Sequence, residues 1–219
     1  MTRDRDYLAI IDYQAGNQTS VHRALRHLGV KAEVTADLLT LSKAAGIIFP
    51  GVGAAGQAMA VLKETGIDNI IRELSCQGRP FLGICLGCQI MLERSEENAT
   101  ATLGVFPGEN RRFDPALRDE DGSPIRVPHM GWNTVRPARH TALWEGLGPE
   151  DQFYFVHSYY PIPSPELVMG TTVHGLEFAS VFGREGVWAL QFHPEKSGPP
   201  GLRLLSNFYE YSLEASRQA

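Results

Sequence analysis

Phe81-Leu-Gly-Ile-Cys-Leu-Gly-Cys-Gln89 runs from an apolar, strand-like stretch through a glycine-flanked cysteine into a helical pattern. Gly83-x-Cys85-x-Gly87 has the form of a nucleophile elbow. In such a turn the reactive residue sits on a tight strand-to-helix bend, and glycines two positions either side let the backbone close without Cβ clashes. Serine is the usual centre; here Cys85 takes its place. A thiol at a helix N-terminus meets the positive end of the helix dipole and free N–H groups, which favour a thiolate and stabilise an adjacent oxyanion. From the composition, a chance match to this pattern is expected about 0.03 times in the chain. The competing reading is a buried structural cysteine behind a glycine-rich turn.

Working outward, the flanking sequence alternates strand and helix. Tyr7–Tyr13 is apolar and of strand length; Gly16-Asn17 supplies a turn and a helix cap, and Val21, Ala24, Leu25 and Leu28 follow at helical spacing, closed by Gly29. The same pattern predicts strands at 31–34, 46–49 and 80–84 and helices at 38–44, 57–63, 67–76 and 86–94, with a loop at 50–56. This is the signature of right-handed βαβ units and a parallel sheet. Beyond about Glu97 the texture changes to short strand-like pieces at 103–106, 133–135, 152–156, 168–173, 178–182 and 187–192. They predict mixed or antiparallel strands added to the sheet. Asp114–Pro124 reads as a mobile surface loop. A C-terminal helix carries Leu202, Leu205, Phe208 and Tyr209 on one side, with a polar tail at 212–219. The fold class is therefore α/β, a central mostly parallel sheet flanked by helices, in one domain over 7–219 after a flexible extension at 1–6.

Composition narrows the function. The chain has 219 residues, 43% hydrophobic, enough to bury a full core; Lys and Arg number 20 against 25 Asp and Glu, a net charge of −5. No positive excess is available for nucleic acid. No apolar run approaches the ~20 residues a membrane span needs, and the start lacks an apolar signal core, so a soluble, cytoplasmic protein is expected. Three cysteines cannot all pair within the chain, and Cys85-x-x-Cys88 has no second Cys or His pair at zinc spacing, so no metal is expected.

A thiolate nucleophile needs a base, and the base an orienting partner. Of seven histidines, His193 stands apart: it ends the apolar run Trp188–Phe192 and precedes Pro194-Glu195. In an extended stretch residues i and i+2 point the same way, so Glu195 can reach the imidazole of His193 and fix its tautomer. His22 and His27 belong to the solvent side of an amphipathic helix, and His140 and His174 to loops or strand ends. Pro50-Gly-Val-Gly53 follows a buried strand with a glycine-rich loop that matches neither a dinucleotide fingerprint nor a P-loop, so no nucleotide cofactor is expected. Its alternative use is as an oxyanion donor completing the hole begun by the Leu86 N–H.

With Pro50-Gly-Val-Gly53, Gly83-Ile-Cys-Leu-Gly87 and Phe192-His-Pro-Glu195 in this order, the chain resembles the class I, triad-type glutamine amidotransferases over nearly its whole length. Pro128-His-Met-Gly-Trp-Asn133, Tyr154-Phe-Val-His-Ser-Tyr-Tyr160, Asp12–Asn17 and Glu195-Lys-Ser-Gly198 are similar to segments of the glutaminase subunits of imidazole glycerol phosphate synthases. The resemblance implies hydrolysis of glutamine to glutamate and ammonia, with no cofactor. The ammonia would pass to a separate (β/α)8-barrel cyclase subunit that makes imidazole glycerol phosphate and an aminoimidazole carboxamide ribotide in histidine biosynthesis. By position it makes Cys85 the nucleophile, His193 the base and Glu195 its orienter. It assigns the oxyanion donors to Leu86 and the Val52/Gly53 region, and the substrate's amino-acid end to Gly51, Gln89 and the Ser158-Tyr159 backbone. It places Asn17, Trp132 and Lys196 near the partner, whose ligand state would control the oxyanion loop. Trp132 packed on its own sheet and Lys196 as a solvated charge are the competing readings of those positions, and His157 is open between a pocket-facing residue and a satisfied core histidine. Gln14 and Cys88 stand where the family has Gly and Met; Cys88 suits a small apolar filler. The competing functions are a free-standing cysteine hydrolase, a non-catalytic subunit, and a glutaminase serving the anthranilate or GMP pathways.

Overall fold

The computed structural model describes residues 6–13, 16–119 and 121–218. Residues 1–5 of the expected extension and Gln14 lie outside them. Asp6, assigned to that extension, is tied down: its carboxylate pairs with Lys31 and its carbonyl accepts the Tyr209 hydroxyl at 3.3 Å.

The first half builds strands and helices in alternation: β1 (Leu8–Ile11), α1 (Gln18–His27), β2 (Ala32–Thr35), α2 (Leu38–Lys43), β3 (Gly46–Gly51), α3 (Ala55–Thr65), α4 (Ile67–Cys76), β4 (Phe81–Cys85) and α5 (Leu86–Ile90). β1, β3 and β4 are buried along their whole length, as strands covered on both faces must be. The period of two sorts their side chains. Leu8, Ile10, Ile48, Leu82 and Ile84 share one core with Val21 and Leu25 of α1, whereas Ala9, Ile11, Ile47, Phe49 and Phe81 share the other with α3 and α4. Gly29, at φ +72°, closes α1 as expected.

The second half contributes β5 (Arg94–Ser95), β6 (Thr100–Ala101), β7 (Gly108–Arg112), β8 (His129–Thr134), β9 (Arg136–Pro137), β10 (Gln152–His157), β11 (Tyr159–Pro163), β12 (Val168–Val173), β13 (Glu177–Arg184), β14 (Val187–Leu190) and the helix α6 (Gly198–Gln218). The main sheet runs β2-β1-β3-β4-β14-β13-β12-β9, parallel through β14 and antiparallel beyond it. α6 packs Leu204, Leu205 and Phe208 into the α1 side of the core. An antiparallel ribbon, β8 with β10, and a small sheet, β11-β7-β5-β6, stand apart. Hence the mostly parallel sheet with antiparallel additions is observed.

Two expectations need correction. Residues 103–106 are not a strand, and the helix after Cys85 ends at Ile90 rather than 94. The two errors have one cause: the N–H groups of Leu103, Gly104 and Phe106 bond the carbonyls of Ile90, Leu92 and Met91 at 2.8–3.0 Å, taking the acceptors a longer helix would use. The segment at 114–124 lies mostly at the surface among its described residues, as expected of a surface loop, and is tied to its surroundings. Arg118 pairs with Pro124, the Asp119 N–H bonds the Ser123 carbonyl at 2.9 Å, and Asp119 Oδ1 accepts the Gly175 N–H at 2.9 Å, while Leu117 packs on the core.

Candidate active site

Cys85 is the last residue of β4 and precedes α5 directly, at φ +54° and ψ −108°. A non-glycine residue in that region costs of order 1–3 kcal/mol and persists only where its surroundings over-determine it. The flanking glycines show how. A Cβ on Gly87 would collide with the carbonyl of Phe49 on β3, and one on Gly83 would meet Met91 Sδ at 2.7 Å. The elbow closes because those atoms are missing. Gly51, the register partner of Cys85, lies beneath it against the Tyr13 hydroxyl and Leu86. It is buried and supports the elbow from below.

Cys85 and His193 wall a cavity of about 360 Å³ together with Val52, Gly53, Leu86, Gln89, Glu97, Pro128 and Val156–Tyr159. The volume suits one small amino acid. His193 and Glu195 are wholly buried side chains, and Nδ1 lies 2.7 Å from Glu195 Oε1. With Nδ1 donating to the carboxylate, Nε2 is left without a hydrogen-bond partner on the cavity side, available to the sulfur or a leaving group. Burial opposes a charge on this ring, but the Cys85 sulfur and the Glu195 carboxylate outweigh it and push His193 up to about 10. The main chain fixes the ring as well: the His193 N–H donates to the Tyr154 carbonyl of β10 at 2.9 Å, and Ser197 Oγ donates to the His193 carbonyl at 2.6 Å.

Asn17 was expected at a partner surface, yet it is 4% exposed and serves the triad. It stands at the N-cap of α1 without capping the helix, because its amide donates instead to Glu195 Oε1 at 2.6 Å. Trp132 is 53% exposed, touching Tyr154 only edge to face, and Lys196 is exposed. Val52 is 38% exposed and Gly53 has φ +97°, so the loop between β3 and α3 stands at the cavity mouth. The side chain of Gln89 reaches into the lining, its Nε2 donating to the Tyr159 carbonyl at 2.8 Å. Cys88 is fully buried and burial pushes its thiol up, as an inert filler should behave.

His157 fills both of the roles offered for it, lining the cavity and being satisfied. Its Nδ1 bonds the Tyr159 carbonyl at 2.8 Å, and Nε2 lies 3.0 Å from His129 Nδ1. Burial holds both rings neutral, with His129 lowered to about 3 by desolvation and the neighbouring His174. Two residues escaped sequence reasoning. Glu97 lines the cavity and accepts the Ala55 N–H at 2.7 Å, bringing a carboxylate to the cavity wall. Gln191 is wholly buried beside Cys85. It lies two residues before His193, so the same i, i+2 rule that ties Glu195 to His193 would have found it.

A strained cysteine at an elbow, a buried His–Glu pair and a glycine loop lining the same cavity on a doubly covered α/β sheet define a class. The family profile "Glutamine amidotransferase class-I" matches residues 9–211, and the chain belongs to that family. Two solved structures share the fold: a glutamine amidotransferase crystal structure (TM-score 0.68, 21% identity, 93% of this chain and 98% of that one) and PurLQS from Thermotoga maritima (0.69, 18%, 94% and 98%). Within the class the chain groups with the subunits named "Imidazole glycerol phosphate synthase subunit HisH". It is 60% identical to that of Nitratidesulfovibrio vulgaris, covering 95% of this chain and 98% of the relative, and 58% identical to that of Desulfovibrio desulfuricans, covering 97% and 98%. The Pseudomonas putida relative is 46% identical over 92% of this chain.

Proposed function

We propose that residues 7–219 form one amidotransferase domain that hydrolyses glutamine to glutamate and ammonia, the glutaminase subunit of imidazole glycerol phosphate synthase in histidine biosynthesis. The observation that carries the reading is the shared cavity of Cys85 and His193, with Glu195 on the far nitrogen of the ring. The Cys85 sulfur attacks the side-chain amide carbon and a C–S bond forms. His193 delivers a proton to the departing nitrogen, and the C–N bond breaks to leave a γ-glutamyl thioester and ammonia. Water gives a proton to His193 and adds to the thioester carbon; the C–S bond then breaks, which frees the Cys85 sulfur and releases glutamate. The N–H of Leu86 and those of Val52 and Gly53 receive the oxyanion. Gln89 and the Ser158-Tyr159 backbone hold the amino-acid end.

The ammonia passes to a partner, a (β/α)8-barrel cyclase, so that it need not reach bulk water. The outer face of the β8–β10 ribbon supports this docking: Met130 is 63% and Trp132 53% exposed, an apolar pair two positions apart on one face of β8, and Lys196 is exposed as well. No helix among the described residues is long and apolar enough to cross a membrane. The test is glutamate release from glutamine by the chain with and without the cyclase and its ribonucleotide ligand. Strong stimulation in the full mixture supports the reading; equal activity alone would make the chain a free-standing hydrolase.

A further inference from the structure

Gln191 follows β14 between the buried apolar residues Leu190 and Phe192, and its side chain has no exposure to solvent. A buried amide is costly unless each end is paired, and here the partners fix which end is which. The Tyr159 carbonyl can only accept, so the Gln89 atom 2.8 Å from it is Nε2. The same nitrogen lies 2.9 Å from Gln191, which must present its oxygen there. The NH2 end of Gln191 is thereby turned to Cys85, with Nε2 3.8 Å from Sγ. Turning over either amide would set like against like.

We infer that Gln191 is a positioning residue for the nucleophile, donating a hydrogen bond to the Cys85 sulfur while Gln89 locks it in the orientation that makes the donor available. The sulfur is an anion when it attacks and again when the thioester is hydrolysed and the C–S bond breaks, and an N–H donor favours the anion at both points. His193 cannot serve alone, because it gives a proton to the leaving ammonia and takes one from water. The amide keeps its hydrogen throughout. The Gln89 link also joins the sulfur to the Tyr159 carbonyl, so that the substrate-holding backbone and the nucleophile share one hydrogen-bond chain.

This inference rests on Cys85 being the nucleophile, and the experiment separates the two. The full chain assembled with the cyclase is alkylated with iodoacetamide across a range of pH, and modification of Cys85 is followed by peptide mass, apart from Cys76 and Cys88. In Gln191→Leu the pH of half-maximal Cys85 alkylation moves up and the rate near neutrality falls about tenfold, the change that one pH unit of displacement produces. Gln191→Glu keeps the shape but sets a carboxyl against the sulfur, and moves the profile at least as far; it carries the test if the leucine variant does not fold. Unchanged profiles in the folded variants overturn the role of Gln191 alone. If alkylating Cys85 in the unsubstituted chain leaves glutamine hydrolysis intact, the nucleophile reading falls and this inference with it.

Discussion

At the scale of single residues the site is a set of side chains that each hold the next. Cys85→Ala removes the attacking atom; glutamine-dependent turnover falls by about four orders of magnitude or more, while ammonia-dependent synthesis and assembly with the cyclase persist. Glu195→Gln keeps the ring in place with a weaker partner and lowers turnover less than Cys85→Ala does; steady-state rates of both variants decide the order. Asn17→Ala withdraws a buried donor from a carboxylate, worth about 1.5–3 kcal/mol, and lowers kcat about tenfold or more with little change in KM. Raised from 6.5 to about 10, His193 stabilises the fold fully below about pH 6.5 and loses that contribution as pH climbs toward 10. Cys85→Ala removes one of the groups that raise it, so the alkaline decline in melting temperature, which sets in near pH 6.5 in both proteins, is smaller and ends at lower pH in that variant than in the parent. The triad was legible in sequence because elbow and His-x-Glu are local patterns. The links of Asn17 to Glu195 and of Gln191 to Cys85 were not, since 178 and 106 positions separate them.

At the scale of elements, the elbow depends on how closely α5 lies over β3. Gly87→Ala drives a methyl into the Phe49 carbonyl. Backbone must move to relieve it, and a loss of about 3 kcal/mol or more is expected in chemical denaturation, together with activity. The β8–β10 ribbon carries the neutral pair His129–His157, and the sign for acid follows from their lowered values: the unfolded chain takes up protons below about pH 6.5 that the folded chain refuses. Each ring then costs stability at about 1.4 kcal/mol per pH unit as pH falls. Unfolding followed between neutrality and about pH 4 should show that acid limb, flattened in His129→Gln. The alternating half of the chain was readable because strands buried on both faces and amphipathic helices have distinct periods. The short strands β5, β6 and β7 were not, for two to five residues carry no period. Residues 103–106 misled because an apolar run says only that the chain is buried.

At the scale of the whole molecule, the outer face of the ribbon leaves Met130 and Trp132 exposed on the strand whose inner side buries His129 against His157. Trp132→Ala therefore weakens cyclase binding by about 2 kcal/mol, as an exposed aromatic anchor does, and leaves the melting temperature of the isolated chain unchanged; titration of the variant against the cyclase checks it. Asn17 has a consequence for anyone redesigning this chain. Scored as the start of a helix, position 17 is a defect, an N-cap whose side chain ignores its own backbone. A stability-guided algorithm would repair it with Ser or Asp and gain up to about 1 kcal/mol of helix. Either replacement would strip the buried Glu195 carboxylate of a bond worth more than the cap, and Asp would press a second carboxylate against it, so the repaired protein would be less heat-resistant as well as the slower catalyst.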